Sequence, residues 1–132
     1  MNKDDLRQYR SLLKEIEELK EQRQTLLDKV FHAPMPDGMP KGKNRRRDFV
    51  GDTVSKVVDL SSLIEGKIDR LARLVMEIEA AIEALPSDER RLLRMKYIEG
   101  RSWPEISGIL HYSLPHLFRK HKNSLKMILD DP

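Results

Sequence analysis

Two apolar seams at helical spacing, separated by a proline-rich break, constrain this chain more than any other feature. From Asp5 to Val30 the residues Tyr9, Leu12, Ile16, Leu19, Arg23, Leu26 and Val30 recur in steps of three and four. That is the period of one helix face packed along another. Leu6, Leu13 and Leu27 widen the face, and Arg23 is its one polar member. Asp4 and Asp5 fall where a helix N-terminus favours negative charge. A second seam runs through Val54, Val57, Ser61, Ile64, Ile68, Leu71, Val75, Ile78, Ile82 and Leu85, flanked by Val58, Leu60, Ala72, Leu74 and Ala81. A helix over 52–85 is about 50 Å long.

Between the seams lies His32-Ala33-Pro34-Met35-Pro36-Asp37-Gly38-Met39-Pro40, in which three prolines and a glycine stop any helix. Lys41, Lys43, Arg45, Arg46 and Arg47 follow with no acid among them. Residues 34–48 therefore read as a flexible basic linker, either a solubilising spacer or an arm that lies along a nucleic-acid backbone. The two long helices fold back on each other as an antiparallel, coiled-coil-like hairpin. Each is wider in apolar surface than one partner covers. The expectation is therefore that hairpins pair, most simply as a homodimer, through Leu12, Ile16, Leu19, Leu26, Val57, Ile64, Ile68, Leu71, Val75 and Ile78. The plainer alternative is a monomeric hairpin resting on the third helical unit.

Composition agrees with long, thinly cored helices: of 132 residues, 39% are apolar and 36% charged. The net charge of +3 says little by itself, but its placement says more. Residues 1–85 balance 16 Lys/Arg against 16 Asp/Glu, whereas 113–129 hold Arg119, Lys120, Lys122 and Lys126 and no acid. There is no cysteine, which excludes disulfides and thiolate metal sites. No apolar run reaches membrane-spanning length, and the first residues are too charged for a secretory signal, so a cytoplasmic location is expected.

The last third is a series of short, well-punctuated helices. Pro86 ends the long helix, and Ser87 with Asp88 and Glu89 opens the next. Gly100 suits a left-handed cap at its end. Ser102 caps a further helix, with Glu105 three residues on in the capping-box position. After the turn His111-Tyr112-Ser113, Ser113 caps a last helix with Pro115 in its first turn. Leu92, Leu93, Tyr97, Trp103, Ile106, Leu110, Leu117 and Leu125 have the spacing of a small trihelical core. Ser107 and Gly108 are small where two helices would cross closely. Helix, tight turn and basic helix in that order describe a helix-turn-helix, whose second helix enters a DNA groove. The expected fold is thus all-α: an N-terminal heptad helix over 1–33, the linker 34–48, a long helix over 49–85 and a trihelical module over 86–132.

The pattern L-P-x-x-x-R-x-L-L, then Y-I-E-G-x-S-W-x-E-I, then H-Y-S and a basic helix, resembles region 4 of bacterial sigma factors, which reads the promoter −35 element. With the heptad helices, the basic linker and Asp48-Phe49-Val50-Gly51-Asp52, nearly the whole chain resembles small RinA/ArpU-like transcriptional regulators of phages and integrated elements. The resemblance implies a recognition helix over 113–129. Its first turn would face bases through Leu114 and His116, with Arg119 and Lys120 one turn on, and Ser113 would meet phosphate. Lys122, Asn123 and Lys126 extend the expected DNA face, with Arg101 and Ser102 at the preceding helix. Many relatives carry arginine or threonine where this chain has Leu114 and Pro115. That leaves Arg119 as the residue able to bridge guanine with two hydrogen bonds.

Other chemistries are poorly supported. His111, His116 and His121 cluster in the module, but with neither cysteine nor a carboxylate on the same face a metal site is not expected, nor any cofactor. No phosphate loop, nucleophile elbow, HExxH or catalytic carboxylate pair occurs, so an enzyme is not expected. The first expectation is a sequence-specific regulator of double-stranded DNA. The alternatives are a small-terminase-like packaging subunit, which would form a large ring, and a sigma mimic that grips RNA polymerase.

Overall fold

The structure, a computed structural model, describes residues 1–32 and 43–129. All regular structure among them is helical: α1 (Lys3–Phe31), α2 (Lys43–Ile82), α3 (Ser87–Leu93), α4 (Trp103–Leu110) and α5 (Leu114–Ile128). A π-helical turn, Arg94–Ile98, extends α3. The chain divides into two compact units, one formed by 14–69 and the other by 1–13 with 70–132.

In the unit of residues 14–69, α1 and α2 run antiparallel. Ile16 and Ile64 are buried, and Lys67 meets Glu15 at 3.3 Å. Arg23, the polar member of the first seam, donates to Ser61 Oγ at 3.1 Å. Ser61 is the polar member of the second seam, so the two interruptions answer each other across the pair. α2 starts earlier than its apolar seam implies, because no proline falls between Lys43 and Asp52 and Arg and Lys favour a helix. Residues 43–48, expected in the linker, are therefore helical, with Arg45, Arg46 and Arg47 exposed in the first turns. Pro34, Pro36, Pro40 and Lys41 lie outside the described residues. At 40 residues α2 is about 60 Å long.

The expected oligomer contacts need correction. Leu12, Ile16, Ile64 and Ile78 are buried inside the chain, where they hold the hairpin together. Leu19, Leu26, Val57, Leu71 and Val75 are half-buried, and of the ten only Ile68 is exposed.

In the second unit the start of α1 carries a reciprocal cap, with Asn2 N–H on the Asp5 carboxylate and Asp5 N–H on Asn2 Oδ1, both at 3.0 Å. Leu6 then packs with Leu74, Ile78, Ile82 and Leu85 of α2 and its exit, and with Leu93, Tyr97 and Leu125. One apolar cluster thus crosses the boundary that Pro86 implies. Ser87 is the first residue of α3, and its hydroxyl does not cap the helix. Arg94 reinforces the junction by gripping Glu79 on α2 through Nε and Nη2, the shorter bond at 2.7 Å. That pair holds the Glu79 carboxyl below its ordinary range.

Candidate nucleic-acid interface

A second, smaller cluster holds the three short helices together: Leu92 and Met95 from the first, Ile106 and Leu110 from α4, and Leu117 from α5, with Trp103 and Tyr112 partly covered against it. The eight residues expected in one trihelical core therefore divide between two clusters. Leu93, Tyr97 and Leu125 face the hairpin end, because α3 and its π turn are sandwiched and bury both sides.

Local signals place the turn. Gly100 has φ 71, and Arg101 N–H reaches back to the Met95 carbonyl at 2.9 Å. An added Cβ at Gly100 would meet the Arg10 guanidinium at 2.7 Å, while that same side chain donates to the Ile98 carbonyl at 3.2 Å. Ser102 Oγ accepts the Glu105 N–H and donates to its carboxylate, opening α4. His111 ends α4 at φ 61, a left-handed residue that is not glycine. Ser113 Oγ accepts the His116 N–H and opens α5, with Pro115 in the first turn. No close helix crossing requires Gly108, which has open space where a Cβ would stand. The Ser107 hydroxyl donates to the Tyr112 carbonyl across the turn. The Tyr112 hydroxyl donates to Asp88, which raises the phenol above its ordinary pKa.

α5 contains no acid, and its cations do not all serve the same end. Lys120 turns back to Glu89 at 3.1 Å, with its ammonium 4.8 Å from the centre of the Tyr112 ring. Its charge is held firmly by that carboxylate. It is therefore a clamp within the module and not an outward contact, a correction to the expected face. Arg101 likewise lies against Glu99 at 3.5 Å and Glu105 at 3.7 Å. The hydroxyls of Ser102 and Ser113 are occupied as caps. Arg119, Lys122, Asn123 and Lys126 are exposed, and among the described residues none of these three cations forms an ion pair. At 100° per residue they fall on one outward face, opposite buried Leu117 and Ser124. Leu114 and His116 are exposed at the start of the helix, and His116 meets Tyr112 edge to face.

His121 is not part of that face. It lies edge-on to Trp103 at 4.9 Å, and its Nε2 is 2.7 Å from the Tyr97 hydroxyl. Burial, with the charges of Lys3 and Lys96, lowers its pKa to about 4 and keeps the ring neutral. Lys96 stands over the Trp103 ring, 4.6 Å from its centre. Phe118 also packs on Trp103 but stays 47% exposed. Its position four residues after Leu114 was the signal that could have drawn attention to it.

Residues 75–115 match the family model described as Sigma-70, region 4. The chain carries a sigma region 4-like helix-turn-helix. No curated protein and no solved structure matches it. The region 4-like match begins within α2 and ends at Pro115. It covers α3, α4 and the first two residues of α5. Among the described residues no helix is long and apolar enough to cross a membrane.

Proposed function

We propose that the protein is a sequence-specific regulator of transcription that places α5 in the major groove of double-stranded DNA. The observation that carries this reading is the acid-free outward face of Arg119, Lys122, Asn123 and Lys126 on the second helix of a region 4-like module. Exposed Arg45, Arg46 and Arg47 at the start of α2 supply a further basic group for phosphates. The protein acts in the cytoplasm of a bacterial host, as a phage- or element-borne factor, and has no catalytic activity of its own.

Dimerisation belongs to the same proposal. Val54 and Val58 are exposed on one side of α2, and Ile68 is exposed at the edge of the face that packs on α1. A second copy of the chain would cover them and set the separation of two heads on the duplex.

The test is affinity for duplexes enriched from a random pool, measured across a salt series. The reading expects enrichment of a defined sequence and a log–log slope of about −0.9 for each phosphate neutralised. Light scattering should give the mass of two chains, whereas a ring of eight or more would favour a packaging subunit. Capture of RNA polymerase with no duplex binding at low salt would overturn the reading in favour of a sigma mimic.

A further inference from the structure

Leu114 and Phe118, 38% and 47% exposed, stand one turn apart at the start of α5. A helical projection puts Phe118 beside Lys122, at the edge of the outward face, and Leu114 further round from Arg119 on the same flank. They flank a face made of cations and an amide, on the side of buried Leu125, and yet stay exposed. Neither is needed to close a core, since Leu117, Ser124 and Leu125 are the buried residues of this helix. The N-terminal turns of the second helix are the part of a helix-turn-helix that reaches base edges. In the major groove the one apolar feature on a base edge is the 5-methyl group of thymine. Phe118 adjoins Lys122 on a helix with no acid, so the charge beside the apolar pair complements a duplex occupant.

We infer that Leu114 and Phe118 read thymine methyl groups, so that this recognition helix selects T-containing steps by apolar contact where an arginine-rich helix would select by hydrogen bonds. The inference rests on the DNA-binding reading above. Trp103 supports it mechanically, since its ring packs against Phe118 with centroids 5.2 Å apart and the rings nearly perpendicular. That contact restrains the exposed ring and so lowers the cost of ordering it against a methyl group. Arg119, one residue further on, remains the hydrogen-bonding reader and sets the register of the apolar pair.

Deoxyuridine pairs as thymidine does but lacks the methyl group, which gives a direct probe. The full chain is titrated with its enriched duplex and with the same duplex carrying deoxyuridine for thymidine, at fixed salt. The wild type should lose about threefold to fivefold in affinity for each methyl that is contacted. Leu114→Ala and Phe118→Ala should bind the thymidine duplex more weakly and discriminate less between the two. The salt slope should be the same for all three proteins, since phosphate contacts are untouched. Leu114→Ala, in an exposed first turn, remains informative if loss of the Trp103 contact disturbs Phe118→Ala. Equal wild-type affinity for both duplexes, or undiminished discrimination by both variants, overturns the inference while leaving DNA binding intact. Absence of duplex binding at low salt overturns the functional reading itself.

Discussion

The Tyr97 hydroxyl and His121 Nε2 lie 2.7 Å apart, joining the π turn to α5 beneath the edge of Trp103. Burial raises the phenol pKa and lowers that of the His121 ring, so both partners of this hydrogen bond are neutral. The unfolded chain takes up a proton at this ring below about pH 6.5, and the folded chain only near pH 4. This contribution to stability is therefore complete above pH 6.5 and is lost as pH falls from there towards 4. Thermal unfolding of the wild type should weaken over that window, and His121→Gln should flatten the dependence. A wild-type melting temperature that is level between pH 6.5 and 4.5 would contradict this account of the pair.

Leu6, fully buried, belongs to the cluster that also holds Leu93, Tyr97 and Leu125. Leu6→Ala should therefore destabilise the helix-turn-helix by about 2–5 kcal/mol. The chain has one tryptophan, Trp103, whose fluorescence reports that module during urea unfolding. An unchanged Trp103 transition in the variant would show that α1 does not support the module.

Arg94 and Glu79 form a two-point pair whose side chains are 38% and 35% exposed, so solvent screens part of its energy. Glu79→Gln should cost about 1 kcal/mol at neutral pH. Because Arg94 lowers the Glu79 pKa, the wild type's advantage exists above the ordinary carboxylate range and is lost as pH falls through the lowered value. Melting temperatures of the two proteins should differ at pH 7 and converge in acid; a constant difference would sink this assignment.

Much of the module was legible because its signals are local. Ser102, Ser113, Gly100 and Pro115 act within four residues of themselves, and the structure puts each at the cap or turn its chemistry implies. Contacts made at a distance were not legible. Lys120 counts as a groove-facing cation by sequence, yet Glu89, 31 residues away, claims it. Arg101 is held by Glu99 and Glu105 in a similar way. Pro86 marks a helix end correctly but not a domain edge, because Leu6 closes a cluster with residues some 70 to 120 positions later. A period of three and four shows that a face is apolar, not whether it meets its own chain or another. Ile64, buried, and Ile68, exposed, make that point within one turn.

Arg119 and Lys126 should separate base reading from phosphate attraction. Arg119→Ala should lower discrimination at one base pair by about 1–3 kcal/mol. Lys126→Ala should weaken all duplexes alike and reduce the salt slope by about 0.9. Competition titrations over single-base variants of the enriched site distinguish the two; an unchanged ratio of specific to random affinity in Arg119→Ala would contradict its role.

The outward face of α5 is tested most directly by reversing two of its charges. Duplex affinity is compared between the wild type and Arg119→Glu/Lys122→Glu, with circular dichroism to show that both remain helical. Because these residues are exposed and form no ion pair among the described residues, the fold should survive, and affinity should fall by about a hundredfold or more. Equal affinity of the two proteins, both folded, would contradict the claim that this helix is the DNA-binding surface.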